Sequence, residues 1–350
     1  MLQPNKTNSI FSKHATLFVL FLACVVPSAG QNLQPGNNNT PPAAQKDGQY
    51  KINVNVSLVV LHATVVDKKG RIINDLGKDA FRVLEDGAPQ QLSVFSHSDI
   101  PVTMGIVIDD SGSMRDKRES VNAASVSFVK TSNPQDQVFV VNFNDAYYLD
   151  TPGNFASNME ELKAALSKID SRGGTALYDA AYASLDHLRL GNRDKKVLLI
   201  ITDGEDNASR YSFDELLKYA QQSNVVIYCI GLLGEERPGG LFKMHGGEPK
   251  RASRVLKDLA QATGGQAYFP KSLDEVEPTC VTIAHDIRNQ YTLGYYPTNP
   301  KKDGSFRSVQ VELTGQYAHM HYEVRTRPGY YAPKEATQAF VTKHSEQSHQ

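Results

Sequence analysis

The segment Pro101–Ser113, P-V-T-M-G-I-V-I-D-D-S-G-S, joins a nearly continuous apolar run to a cluster of oxygen-bearing side chains. An apolar run such as Val102–Ile108 is typical of a strand that is buried on both faces of a parallel sheet. In open α/β sheets, ligands bind in the crevice beyond the carboxyl ends of the strands. The segment therefore predicts an α/β fold with a binding site directly after its first parallel strand.

Similar apolar runs recur downstream at Val138–Phe143, Val197–Thr202 and Val225–Leu232, and helical patterns lie between them. Two helices are expected to open with a Ser-x-x-Glu capping box, at Ser212–Glu215 and Ser272–Glu275. Strands that alternate with helices predict a doubly wound, mainly parallel sheet with helices on both faces.

The segments on either side of this region alternate apolar and polar residues, as in Ile52–Leu58 and Val309–Leu313. Asp86-Gly87 and Asp303-Gly304 are turn signals between such runs. Because either set alone is too small for a comfortable sandwich, we expect them to pair into one discontinuous antiparallel β-sandwich-like domain. The α/β domain would be inserted in that domain, and the alternative is two separate β subdomains.

The N-terminus has the features of an export signal. Lys6 and Lys13 precede the apolar run Ala15–Val26, and Ser28-Ala29-Gly30 offers a small-x-small cleavage site. The run is shorter than the roughly 20 apolar residues of a membrane span, so we expect no transmembrane span in the mature chain. Leu22-Ala23-Cys24 also resembles the end of a lipoprotein signal, which leaves a lipid anchor at Cys24 as an alternative.

The expected organisation of the chain follows from these patterns. The segments are a signal peptide (1–30), a disordered linker (31–49), the first part of the β domain (50–100), the α/β domain (101–289), the second part of the β domain (290–332) and a polar tail (333–350). Both N-terminal alternatives predict an exported protein that is secreted, periplasmic or associated with the cell envelope.

Composition narrows the class of protein. The chain has 350 residues, 40% of them hydrophobic and 21% charged, which is typical of a folded protein of one or two domains. A formal net charge of −1 provides no electrostatic case for a nucleic-acid or anionic-membrane partner. Three cysteines cannot build a disulfide-dense scaffold or a four-thiolate zinc site. A disulfide between Cys229 and Cys280 and a pair of buried free thiols both remain open.

Three predicted loops carry oxygen-bearing side chains to the same edge of the sheet. The candidate metal ligands are Asp109, Ser111 and Ser113 in the first loop, Thr175 in a Gly-Gly-Thr turn, and Asp203 in Thr-Asp-Gly after the third apolar strand. Oxygen-only ligands suit hard cations such as Mg²⁺, Mn²⁺ or Ca²⁺. The neighbouring acids Asp110, Glu205 and Asp206 are expected to be solvated charges at the rim.

This order of motifs, D-x-S-x-S, G-G-T and T-D-G, resembles the metal-ion-dependent adhesion site of von Willebrand factor type A domains. The resemblance covers about Pro101–Asn289, and the whole chain looks like the secreted bacterial proteins related to that domain. It implies that Ser111 and Ser113 ligate the cation directly, and that Thr175, Asp109 and Asp203 do so directly or through water.

The resemblance also implies a function. A carboxylate from a protein partner would complete the coordination shell. In some family members ligand binding shifts the last helix of the domain, and the corresponding helix in this chain would be Ser272–Asn289. We therefore expect an exported, non-enzymatic protein-binding module whose partner presents an acidic side chain.

Two alternatives remain, a metal-dependent hydrolase-type enzyme and a structural envelope protein with a purely structural metal. No Ser-His-Asp or Cys-His order in the sequence nominates a catalytic residue. His245 lies in the Gly-rich insertion Gly239–Pro249, which is expected to be a mobile surface loop.

Overall fold

The computed structural model describes residues 57–233 and 248–335. The predicted signal peptide, the linker, Cys24, the loop around His245 and most of the polar tail lie outside the described residues, so those predictions stay predictions. Among the described helices, none is both long enough and apolar enough to cross a bilayer.

Fourteen strands and six α-helices lie in this part of the chain. The strands are β1 (Val59–Val66), β2 (Phe81–Glu85), β3 (Ala88–Gln90), β4 (Leu92–Ser96), β5 (Val102–Asp109), β6 (Gln137–Phe143), β7 (Tyr147–Leu149), β8 (Lys195–Thr202), β9 (Val225–Gly231), β10 (Ala267–Tyr268), β11 (Tyr291–Tyr295), β12 (Phe306–Leu313), β13 (Glu323–Arg325) and β14 (Gly329–Tyr331). The helices are α1 (Arg118–Thr131), α2 (Met159–Leu166), α3 (Leu177–His187), α4 (Phe213–Gln222), α5 (Glu248–Ala262) and α6 (Val276–Arg288).

The central sheet has the strand order β10-β9-β8-β5-β6-β7. Its strands are parallel except for the edge strand β7, which pairs antiparallel with β6. The chain passes from β5 to β6 on one side and then returns to β8 on the other side of β5. The strand order therefore reverses at β5, and a reversal of this kind opens a crevice at the carboxyl ends of the strands.

Helices cover both faces of the central sheet. Alternate side chains of each strand point to opposite faces, so Ile106 packs in the core under α1, α2 and α6, whereas Val107 packs in the core under α3, α4 and α5. All eight residues of β5 are buried, which explains its apolar sequence.

Strands from before and after the α/β part pair with one another in two antiparallel sheets, β13-β1-β11-β4 and β14-β12-β2-β3. Leu61 on β1 lies opposite Leu293 on β11, and Val83 on β2 lies opposite Val311 on β12. Buried side chains of both sheets form one hydrophobic cluster. The predicted fold class, a doubly wound α/β domain inserted in a discontinuous antiparallel β-sandwich-like domain, is confirmed.

Only one of the two predicted capping boxes forms. Ser212 and Glu215 cap α4 reciprocally, as predicted. At the second position, Ser272 makes no capping hydrogen bond, and the Glu275 carboxylate instead accepts a hydrogen bond from the Lys271 amide at 2.8 Å. A short 3₁₀ turn at residues 273–275 therefore precedes α6, which begins at Val276.

Both remaining cysteines are buried free thiols. Cys229 on β9 packs in the core beneath α3, α4 and α5, whereas Cys280 on α6 packs in the core on the other face of the sheet. The sheet lies between these two cores, so a disulfide between the two sulfur atoms does not form. Burial raises the pKa of the Cys280 thiol to about 12, and it raises the pKa of Cys229 as well.

Candidate metal centre

Three loops converge at the carboxyl ends of β5 and β8. The first loop follows β5 and forms a 3₁₀ turn at Gly112–Met114. The second loop precedes α3, and the Gly112 amide donates to its Gly173 carbonyl at 3.4 Å. The third loop follows β8 and returns to the second, because the Asn207 amide donates to the Thr175 carbonyl at 3.0 Å. The predicted binding edge therefore exists as a hydrogen-bonded set of loops.

The side chains of the first and third loops are in direct contact. The Ser111 and Ser113 hydroxyl oxygens lie 3.2 Å apart, and the Ser113 hydroxyl donates to Asp203 Oδ1 at 2.8 Å. Thr202 donates its hydroxyl hydrogen bond to Asp109 Oδ2 at 2.6 Å, and the Ser111 amide donates to Asp109 Oδ1 at 2.9 Å. The structure thus brings four of the five predicted ligands together.

The Asp109 carboxylate is buried without an ion pair in the described part of the chain. Burial raises the pKa of Asp109 above its ordinary value, against the hydrogen bonds from Thr202 and Ser111 that lower it. The negative charge of Asp203 raises it further. Electrostatically, this is a place where a cation is favoured.

Thr175 lies in the second loop, directly beside the third. It is buried, its amide donates to Asn207 Oδ1 at 2.8 Å, and its hydroxyl lies 3.8 Å from the position that a Cβ on Gly204 would take. Gly173 has φ +74°, and the Gly174 amide donates to Asp145 Oδ1 at 2.6 Å. A Cβ on Gly173 would lie only 1.9 Å from Asp145 Oδ2, so the turn needs glycine there.

Lys117 is a site residue that the sequence analysis did not single out. It is the N-cap of α1, and its ammonium contacts Asp203 Oδ2. The Asp203 side chain is 1% exposed and that of Lys117 is 29% exposed, so the ammonium covers the carboxylate from the solvent side.

Asp110 was predicted to be a solvated rim charge, and that prediction is wrong. The residue is 4% exposed and forms an ion pair with the buried Arg118 at 3.4 Å. Its Oδ2 accepts from the Asp170 amide at 2.6 Å, and its Oδ1 accepts from the Ser171 hydroxyl at 3.1 Å. Asp110 therefore holds the segment that leads to Thr175, instead of facing water.

The other two predicted rim charges are only partly solvated. Asp206 accepts a hydrogen bond from the Tyr178 amide at 3.0 Å and another from the Ser209 hydroxyl, so it fixes the third loop to the start of α3. Glu205 is 20% exposed and lies 3.9 Å from Arg251.

The sequence contained one signal, at Asn142, for the buried ion pair between Asp110 and Arg118. This amide interrupts the apolar run of β6, and its Oδ1 accepts from Arg118 Nη2 at 2.9 Å. A polar residue at the end of a strand buried on both faces indicates a partner, since buried polar groups are hydrogen-bonded. Lys117 had no comparable signal, because a lysine near a helix start is ordinary.

The described residues contain no group of three or more His, Cys, Asp and Glu side chains placed to hold a metal ion. The candidate set is instead two carboxylates with three hydroxyls. Fold and site together define an α/β domain with an oxygen-lined crevice at the switch point of its sheet.

A family model for the von Willebrand factor type A domain matches residues 104–277. This part of the chain therefore belongs to the von Willebrand factor type A domain family, a class of mostly non-enzymatic protein-interaction modules.

Several curated proteins match with modest identity. Inter-alpha-trypsin inhibitor heavy chain H4 of Sus scrofa is 25% identical over 184 residues, which are 49% of this chain and 20% of that protein. Integrin alpha-1 of Gallus gallus is 25% identical over 229 residues, 62% of this chain and 74% of the matched protein. A Borreliella burgdorferi protein is 29% identical over 107 residues, 29% of this chain and 31% of its own length. The chain thus spans a fifth to a third of two of these relatives.

Among solved structures, a von Willebrand factor type A protein from Catenulispora acidiphila aligns with a TM-score of 0.45 and 13% sequence identity. The alignment covers 81% of this chain and 76% of that one.

Proposed function

We propose that this chain is an exported protein-binding module that holds a carboxylate of a partner protein through a divalent cation. The cation would be Mg²⁺, with Mn²⁺ or Ca²⁺ as alternatives, and its ligands would be Asp109, Ser111, Ser113, Thr175 and Asp203. Membership of the von Willebrand factor type A family and the similarity to integrin alpha chains support the interaction role. The basic and apolar N-terminus supports export.

The observation that carries the proposal is the contact between the loops after β5 and β8. The Ser111, Ser113 and Asp203 oxygens form a continuous chain of contacts, and Asp109 reaches the same loops through Thr202. Hydroxyl and carboxylate oxygens are the donors that hard divalent cations prefer. The donor set therefore fits such an ion.

The small number of carboxylates supports a carboxylate ligand. With Asp109 and Asp203 as the anionic donors, a divalent ion keeps electrophilic character and attracts a further anionic oxygen. Mg²⁺ requires nearly octahedral geometry at about 2.0–2.1 Å, so an open coordination position selects a single well-placed oxygen. An acidic side chain of a partner protein provides such an oxygen.

The first test is Mn²⁺ and Mg²⁺ titration of the purified protein by calorimetry, beside the isosteric variant Asp109→Asn. We expect saturable one-site binding that falls at least tenfold in the variant, because a metal-facing charge is removed while the shape and the hydrogen bonds of the side chain are largely retained. Asp116→Asn is the matched control, since Asp116 is an exposed acid of the same loop and the charge change is equal.

Equal binding by the wild type and Asp109→Asn would overturn the assigned site, and no binding at millimolar metal would overturn the cation-dependent mechanism. A metal-dependent pull-down of acidic proteins that chelation abolishes would support the binding role. Turnover of a small ester or phosphate substrate would favour the hydrolase alternative. Stabilisation by metal without any cation-dependent partner would favour the structural one.

A further inference from the structure

Lys117 places a positive charge directly beside a predicted ligand of a divalent cation. Its ammonium contacts Asp203 Oδ2, while the other oxygen of the same carboxylate accepts the Ser113 hydroxyl at 2.8 Å. Both carboxylate oxygens of a predicted metal ligand are therefore engaged by this chain's own groups. One of those groups is a cation on a flexible four-carbon stem.

The nearby charges do not offer Lys117 another partner of equal quality. The Asp110 carboxylate is engaged by Arg118 at 3.4 Å and by the loop that carries Ser171. Asp116 is exposed on the solvent side of the same loop. The contact with the nearly buried Asp203 is thus a specific pairing and not one of several equivalent surface contacts.

We propose that Lys117 is a tethered cation that shares Asp203 with the divalent ion and sets how tightly the site binds metal; this inference rests on the proposed function. A divalent ion ligated by Asp203 would lie within a few ångströms of the Lys117 ammonium. Like charges at that distance repel each other, and the repulsion is substantial in a partly buried site. Lys117 therefore lowers the metal affinity of the site.

The same lysine stabilises the metal-free protein. The loops that carry Asp109 and Asp203 are in contact, so without metal the two carboxylates place negative charges in the same small site. The ammonium offsets that repulsion when no metal is bound. Replacing Lys117 with an uncharged side chain thus has two opposite effects: the metal-free state loses stability and the metal-bound state forms more readily.

In the metal-bound state, the charge of Lys117 also favours an anionic ligand. Two carboxylates and a divalent ion sum to zero, and the ammonium leaves the centre with one net positive charge. The residue thus exchanges some metal affinity for attraction toward a partner carboxylate.

The experiment compares Lys117→Met, Lys117→Arg and Lys130→Met in the full chain, with Mn²⁺ alone as the probe. Lys130 is an exposed residue near the other end of α1, so its variant matches the charge change without touching the site. Calorimetry measures the Mn²⁺ affinity, and thermal unfolding with EDTA or with saturating Mn²⁺ measures both end states.

We expect Lys117→Met to bind Mn²⁺ at least tenfold more tightly than the wild type. Its Tm without metal should be lower than that of the wild type, and the rise in Tm on adding metal should be larger. Lys117→Arg keeps the charge and should bind within about threefold of the wild type, as should Lys130→Met.

Equal Mn²⁺ affinity in the wild type and Lys117→Met would overturn the inference and leave the proposed function intact. Absence of Mn²⁺ binding in every variant, Lys117→Met included, would instead overturn the proposed function. If Lys117→Met fails to fold, Lys117→Gln provides the same comparison with a shorter, polar side chain.

Discussion

Among the described residues, the buried carboxylates Glu85 and Asp109 lie in clusters of opposite electrostatic character. In the β-sandwich-like part, Glu85 is 2% exposed, and its oxygens accept from Arg307 at 3.2 Å and from the Tyr295 and Tyr330 hydroxyls at 2.8 Å each. At the carboxyl end of the central sheet, Asp109 receives only neutral hydrogen-bond donors.

Under the proposed function, the difference separates a structural cluster from a binding site. The Glu85 cluster contains its own counter-charge, so nothing further needs to bind there. Burial and the neighbouring carboxylate raise the pKa of the two tyrosines, which keeps their hydroxyls protonated as donors. The Asp109 carboxylate accepts from a hydroxyl and an amide in place of a guanidinium, and no cation of the described residues forms an ion pair with it.

The largest expected effect comes from breaking the self-contained cluster. Arg307→Met leaves Glu85 buried without a cation, which should cost about 3–5 kcal/mol of unfolding free energy. Urea denaturation measures that loss. The matched control is Arg82→Met on the adjacent strand, where an exposed ion pair with Glu312 should contribute no more than about 1 kcal/mol.

The metal response provides the second half of that comparison. Folded Arg307→Met protein should retain Mn²⁺ binding, because the Glu85 cluster lies in the β-sandwich-like part and not at the candidate metal centre. Loss of metal affinity without loss of stability in this variant would show that the two clusters have been assigned the wrong roles.

A smaller effect is expected from the turn that carries Thr175. Gly173→Ala introduces a Cβ at φ +74° and 1.9 Å from Asp145 Oδ2, so the turn or the Asp145 side chain that accepts from the Gly174 amide has to move. Gly70→Ala is a matched control at φ +76° with nothing within 4 Å, and it should cost only the roughly 1–2 kcal/mol of a left-handed alanine.

We expect Gly173→Ala to weaken Mn²⁺ binding about tenfold and Gly70→Ala to leave it unchanged. Calorimetric titration of both variants checks this difference. Equal metal affinity in the two variants would remove Thr175 and its turn from the candidate centre.

A third region, around His62, extends the comparison to pH dependence. His62 on β1 lies close to Lys195 and Arg327, and burial together with these cations lowers its pKa from 6.5 to about 3. The unfolded chain therefore takes up a proton before the folded protein does as the pH falls. Stability from this group is present above about pH 6.5 and is lost as the pH falls toward 3, at up to about 1.4 kcal/mol per pH unit.

His62→Gln should remove that part of the pH dependence. Urea midpoints measured between pH 7.5 and pH 4.5 should fall less steeply for the variant than for the wild type. Parallel curves for the two proteins would show that His62 is protonated in the folded state.

Much of the fold was predictable because its signals are local. The apolar run of β5 and the period-two run of β12 each reflect burial within a single strand. The order of the site motifs was predictable for the same reason, since parallel strands bring their carboxyl ends to one edge. The local reasoning failed at Ser272. Glu275, its expected partner in the capping box, accepts a hydrogen bond from the Lys271 amide instead.

The sequence by itself determined that a doubly wound sheet presents Asp109, Ser111, Ser113, Thr175 and Asp203 at one edge. Only the tertiary structure decided which neighbouring charges are paired, since Asp110 meets Asp170 and Ser171 some 60 positions away, and Lys117 meets Asp203 across 86 positions. Periodicity reports how each segment faces the core. Charge pairing depends on distances between segments that are remote in the chain, and those distances exist only once the sheet and its loops have been assembled.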